Sequence, residues 1–333
     1  MEAEMLTTFL ATLSPIATLF LCIVIGFVAR KAKLLPDNAG KVMAKMENWI
    51  FVPALNFITM SRFFTVATVR DHATNLILSC IGVGIAISMA LLLARFFAKN
   101  DLAERGIYKY ALTFGNSGYA GDPIVLALFG DLALSYYKIY CIPISIVIYT
   151  WGMTVLVPQG EAKGALWKKL LNAPMVAILL GVITGITGLG AHLPLVLTDT
   201  LDKLKACMGP VAMLLCGFTV AAYSVPHMLK QGRVYIASLL RLTVLPAILI
   251  AALFGIKTLG NHLFGFEIPN SVLFLTFFAT ATPLGMNTIV FPEAYGGNPK
   301  TGASMALISH TLCVITIPLM YALMTVLLGV PSF

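Results

Sequence analysis

The chain has 333 residues, of which 59% are hydrophobic and 11% charged, and its formal net charge is +8. Soluble globular proteins carry about 25% charged residues, so this composition, with a mean hydropathy of +0.91, describes a polytopic membrane protein and excludes a soluble enzyme. The positive charge then bears on topology rather than on nucleic acid as a partner.

The first residues, Met1 to Glu4, are acidic and lack the basic region of a cleaved signal. The first apolar run is therefore expected to stay as a helix. A spanning helix needs about 20 mostly apolar residues. Ten candidates follow in order: 9–29, 40–60, 75–97, 108–129, 133–156, 172–190, 200–223, 234–256, 271–292 and 303–328. The second and seventh are diluted by Asn48, Asn56, Lys203 and Lys205 and bent by Pro53 and Pro210, which suggests helices that face protein on most sides. Cys22, Cys80, Cys141, Cys207, Cys216 and Cys313 all fall within apolar runs, without metal-ligand spacing. No metal or other cofactor is expected.

Basic residues cluster in alternate connections. One set holds Arg30, Lys31, Lys33, Lys41 and Lys45, then Arg95, Lys99, Arg105 and Lys109, then Lys163, Lys168 and Lys169, then Lys230 and Arg233, then Lys300. The opposite, poorer set holds Arg62, Arg70, Lys138, Lys203, Lys205 and Lys257. The richer side is cytoplasmic, which predicts a multi-pass protein of the plasma (inner) membrane with both termini extracytoplasmic.

The basic connection 157–171 divides the chain into a first five-helix repeat, 1–156, and a second, 172–333. With an odd number of spans in each, the second must be inverted relative to the first. Landmarks recur at a steady offset: Pro15 and Pro174 are 159 apart, Pro36 and Pro194 are 158 apart, and Pro53 and Pro210 are 157 apart. The fold expected is an all-α membrane protein of ten transmembrane helices in two inverted repeats.

Two spans interrupt themselves. Gly115 to Pro123 reads GNSGYAGDP, and Ala281 to Glu293 reads ATPLGMNTIVFPE. Unwound backbone at bilayer depth survives only where it is buried in protein or lines a polar cavity, and paired broken helices point to a transporter's binding site. Helices four and nine are thus expected to be broken and to cross. Their half-helix N-termini suit a carboxylate. The candidate substrate contacts are Asn116, Ser117, Tyr119, Thr282, Asn287 and Thr288, the alternative being that these small polar groups only satisfy broken backbone.

Asp122 stands out, because a carboxylate in a bilayer core is costly and usually functional. It could relay a proton, hold a cation or reject the wrong substrate charge, and, compatibly with these, it could cap the helix beginning at Pro123. His310 in span ten is either a packing residue or a second proton carrier. Arg241 is expected to snorkel to the cytoplasmic face. No Walker motif, metal cluster or nucleophile–base pair is visible, which argues against an ATP-driven pump and an intramembrane enzyme.

At FGNSGYAGDPIVLALFG from Phe114, ATPLGMNTIVFPEAYGG from Ala281 and SHTLCVITIP from Ser309, the chain resembles the auxin efflux carrier family of the bile acid, arsenite and riboflavin transporter superfamily. The resemblance covers essentially the whole chain. It implies scaffold helices 1, 2, 6 and 7 that commonly dimerise, and a moving transport domain of helices 3–5 and 8–10. It also implies an organic-anion substrate such as malate, malonate or auxin. Asn116 carries over as a substrate amide, and Gly121, Pro123, Pro283 and Gly285 as crossover positions. Asp122 departs from the family motif, where that position is usually apolar, and the long cytoplasmic loop of plant carriers is absent. The function expected is secondary transport of a small carboxylate by alternating access, with a proton or sodium ion as coupling ion. The alternatives are a sodium-coupled symporter of the bile-acid type and a membrane sensor that binds without transporting.

Overall fold

The structure is a computed structural model that describes residues 2–66, 68–156, 172–264, 268–295 and 299–331. The connection 157–171 lies outside the described residues. The helices are α1 (Glu2–Lys31), α2 (Ala39–Met46), α3 (Val52–Phe63), α4 (Val69–Phe97), α5 (Leu102–Thr113), α6 (Asp122–Val147), α7 (Met153–Leu156), α8 (Ala173–Ile186), α9 (Leu195–Val220), α10 (Val225–Leu229), α11 (Gly232–Leu239), α12 (Leu245–Phe264), α13 (Ser271–Thr280), α14 (Asn287–Tyr295) and α15 (Lys300–Leu328). Single π-helical turns join several of them: Glu47–Phe51, Ser117–Gly121, Ile148–Gly152 and Leu240–Val244. No strand occurs among the described residues; Gly115 and Leu284 form an isolated antiparallel bridge.

Among the described residues, six helical stretches are long and apolar enough to cross a membrane: Thr12–Lys31, Ala73–Phe97, Ser117–Leu156, Leu195–Val220, Gly232–Gly260 and Lys300–Leu328. Ser117–Leu156, at 40 residues, would be about 60 Å long as one helix, twice the hydrocarbon core. It is not one helix. Gly130, with φ 79° and ψ −173°, breaks it. That conformation is nearly closed to residues with a side chain. Ala173–Ile186 and Ser271–Thr280 are shorter apolar helices.

α1 packs most extensively on α9, and α3 on α8. Glycines let the backbones touch at both contacts: Gly26 and Gly217 between α1 and α9, and Gly181 and Gly185 between α8 and the region of Phe57 to Phe64. Without a hydrophobic driving force in lipid, such close van der Waals packing is what joins helices. Leu and Ile side chains such as Leu21, Ile25, Leu180 and Ile183 point outward from these pairs, as a lipid-facing surface requires.

Candidate functional site

α5 begins at Asp101, whose carboxylate accepts the N–H groups of Ala103 and Glu104 at 2.9 Å each. It ends where Phe114 turns extended (φ −114°, ψ 126°). The second interruption spans Ala281 to Met286, between α13 and α14. The two interruptions meet. The Asn116 N–H donates to the Pro283 carbonyl at 2.7 Å, and the Leu284 N–H donates to Ser309 Oγ on α15 at 3.1 Å. Broken backbone inside an apolar shell is thus paired with the other break and with a neighbouring helix. Gly115 is required by this approach: any Cβ there would collide with Thr282 Oγ1 and the Arg241 guanidinium.

The first break is shorter than its sequence suggests. Ser117–Gly121 is a π turn running directly into α6, and Pro123 sits in the first turn of that helix, where a missing N–H costs nothing. Asp122 is itself helical (φ −54°, ψ −52°) and makes no cap. Its Oδ2 accepts from Lys138 Nζ at 2.7 Å, both side chains being buried. Asp122 and Lys138 each stand eight residues from Gly130, so the bend there folds one onto the other. Lys138, assigned from sequence to the poorer set of loop charges, is a buried partner in the protein interior.

A cavity of about 80 Å³ opens beside this pair, lined by Asn116, Ser117, Tyr119, Asp122, Lys138, Gly285 and Asn287 among others, together with Val52, Asn56, Pro174, Met175, Ile178 and Met208. That volume holds several waters or a small polar ligand. Asn56 Nδ2 donates to the Pro174 carbonyl at 3.1 Å, while its Oδ1 has no partner among the described residues. Asn287 Nδ2 donates to the Tyr110 hydroxyl at 2.8 Å. His310 lies behind the site. Its Nδ1 is 2.8 Å from the Ala306 carbonyl and so carries the hydrogen, leaving Nε2 to accept from Asn116 Nδ2 at 3.1 Å. That bond orients the Asn116 amide and leaves it one N–H and its oxygen for a ligand.

The remaining sequence candidates sit apart from the cavity. Thr288 Oγ1 bonds the Gly285 carbonyl at 2.9 Å, within its own turn. Thr282 is fully buried, and its hydroxyl is unpaired among the described residues. Gly121 packs beneath the Tyr137 hydroxyl, which lies 3.1 Å from the carbonyls of Ser117 and Phe278. Pro283 and His310 line a small apolar hollow with Ile16, Leu19 and Ile124.

Arg241 does not snorkel. It is 1% exposed, and its Nη1 donates to the carbonyls of Leu112 and Thr113 at 3.2 Å. The reason is the end of α5, whose last carbonyls lack helical partners and carry partial negative charge that a cation neutralises.

Apolar helices that enclose a polar cavity where two interrupted helices meet define a membrane transport protein. The chain belongs to the family described as Membrane transport protein, whose sequence model matches residues 11–321; the resemblance to auxin efflux carriers falls within this family. It is also similar to an uncharacterized transporter of Methanocaldococcus jannaschii, with 23% identity over 309 residues that cover 89% of this chain and 94% of the relative.

Proposed function

We propose that the protein is a secondary carrier of a small organic carboxylate, which binds where the two interruptions cross. The observation that carries this reading is Lys138, a buried ammonium on the cavity wall held by Asp122 at 2.7 Å beside the Asn116 amide. Lys138 spends one donor on Asp122 and keeps two. A substrate carboxylate would take these together with the free Asn116 N–H, while Asp122 balances the lysine's charge when the site is empty.

Alternating access is supported by how the cavity is walled. One side comes from Asn56, Pro174, Ile178 and Met208, the other from the two crossing segments and α6. The first wall belongs to the helices expected to form the scaffold, the second to those expected to move. A ten-helix inverted repeat is supported by the pairing of α1 with α9 and α3 with α8, the same contact with the halves exchanged. Gly26 on α1 and Gly185 on α8, 159 residues apart like Pro15 and Pro174, each meet the backbone of the opposite partner. Dimerisation through this scaffold belongs to the same reading.

The test is a thermal-shift screen of mono- and dicarboxylates against purified protein, followed by counterflow of the stabilising compound in proteoliposomes, with and without sodium. Stabilisation by a carboxylate, saturable exchange and loss of both in Lys138→Met are expected. Stabilisation without flux would make the protein a sensor, and flux only with sodium would make it a symporter of the bile-acid type. No stabilisation by any carboxylate would remove the anion assignment.

A further inference from the structure

Glu47 opens the π turn between α2 and α3. It is 1% exposed, and neither carboxylate oxygen has a hydrogen-bond partner among the described residues. Asp122 has Lys138 and His310 has Ala306 and Asn116, so the coupling groups expected from sequence are both engaged where they stand. Glu47 is not.

The turn Glu47–Phe51 packs against α2, α3, α8 and α9. Lys41 and Lys45 of α2 are exposed. Arg62 of α3 is bound to Asp202 of α9 at 2.7 Å, and α8 carries no titratable side chain. On α9, Asp199, Lys203 and Cys207 are exposed, Lys205 holds Asp131 at 2.5 Å, and Cys216 is a buried thiol. No cation is paired with Glu47 among the described residues. An isolated carboxylate in such surroundings costs far more than the neutral acid.

The backbone around this group departs from a plain helix on one side and carries a proline on the other. Glu47 begins a π turn, a feature that concentrates at functional sites. Beside it is the Ala212 backbone of α9, two residues past Pro210, which lies inside that helix and removes one of its backbone donors. The substrate cavity is near on both helices: Val52 lines it five residues after Glu47, and Met208 lines it one turn before Ala212. Adjacent to Met208, Gly209 packs on the Pro123 ring.

We infer that Glu47 is a proton site of the carrier, holding its proton while α3 and α9 are packed against the crossing segments and releasing it to water when the cavity opens along these two helices. On release the carboxyl O–H bond breaks, its electron pair stays on oxygen, and the proton leaves on water. The coupling part of this inference rests on the carrier reading; the proton site does not.

Two measurements separate them. Infrared difference spectra of wild type against Glu47→Gln at neutral pH should show a protonated-carboxyl band that the substitution removes, and dicyclohexylcarbodiimide should add to the wild-type peptide containing Glu47 and not to that containing Asp122. In proteoliposomes, Glu47→Gln should keep counterflow exchange at the wild-type rate and lose at least tenfold in uptake driven by a pH gradient. Identical carboxyl bands with Glu47 unlabelled would overturn the proton site. Wild-type pH-driven uptake in Glu47→Gln would overturn its coupling role. A wild type without counterflow would fail the carrier reading while leaving the infrared result to decide the proton.

Discussion

Asp122 and Lys138 sit 2.7 Å apart with both side chains buried, and the consequences of separating them depend on which charge is left. Removing one partner of a buried pair strands the other and costs about 3–5 kcal/mol, whereas replacing both by neutral groups of similar size is often neutral. Lys138→Met should therefore lower the thermal stability of the purified protein by that order, and Asp122→Asn combined with Lys138→Met should recover most of it. Carboxylate binding should stay absent in the double variant, because the proposed site takes its charged donor from Lys138. Equal stability of single and double variants would mean that the pair is not what holds this region. If Asn116 holds substrate as proposed, Asn116→Ala removes one hydrogen bond and strands its partner, and it should weaken binding by about 1–3 kcal/mol with the fold intact, read by calorimetry. Asp122 and Asn116 were legible in the sequence as polar groups inside an apolar run. Lys138 was not, because a lone lysine near a predicted span end reads as a loop charge; its one signal is that it mirrors Asp122 about Gly130. Glu47 and Arg241 were hidden for a related reason: burial without a nearby counter-charge is a property of packing and leaves no mark in local composition.

At the level of elements, glycine, proline and asparagine located both interruptions but misjudged their extent. Gly118, Gly121 and Pro123 all sit in helical or π-helical conformation, so only Phe114 to Asn116 is unwound in the first segment. These residues permit a break without requiring one. Where the chain must break is settled by the partner, here the Pro283 carbonyl and the bridge to Leu284. Gly130 is the reverse case: its φ of 79° with ψ −173° is a conformation it must supply. Gly130→Ala should destabilise the protein by about 1–3 kcal/mol and impair the alignment of Lys138 with Asp122. Gly84, in the interior of α4 with open space where a methyl group would sit, is the control. Gly84→Ala should leave stability unchanged or raise it by up to about 1 kcal/mol. Thermal unfolding in detergent checks both, and a Gly130→Ala protein as stable as wild type would show that the bend tolerates a side chain.

For the whole molecule, the decisive property is the relation between the halves. An inverted repeat places equivalent positions on opposite faces of the membrane, whereas a parallel repeat places them on the same face. The landmark Pro36 recurs as Pro194 at an offset of 158, so Asp37 corresponds to Leu195. Both are accessible: the Asp37 side chain is 99% exposed and Leu195 is 73% exposed. Single cysteines at these two positions, in a background whose six native cysteines are replaced, should react with an impermeant maleimide from opposite sides: Asp37→Cys from the cytoplasm and Leu195→Cys from outside. Val66→Cys should behave like Leu195→Cys, and Lys230→Cys like Asp37→Cys, since the basic residues assign these connections alternately. The charge bias predicts the absolute orientation and the offset predicts the relative one, so the two can fail separately. If every position switched face together, the orientation would be wrong and the inverted repeat would stand. If Asp37→Cys and Leu195→Cys reacted from the same side, the halves would not be inverted, and the matched contacts of α1 with α9 and α3 with α8 would have no symmetry behind them. The two interruptions would then not present equivalent ends from opposite faces, which is the geometry that lets one crossing serve both sides of a membrane in turn.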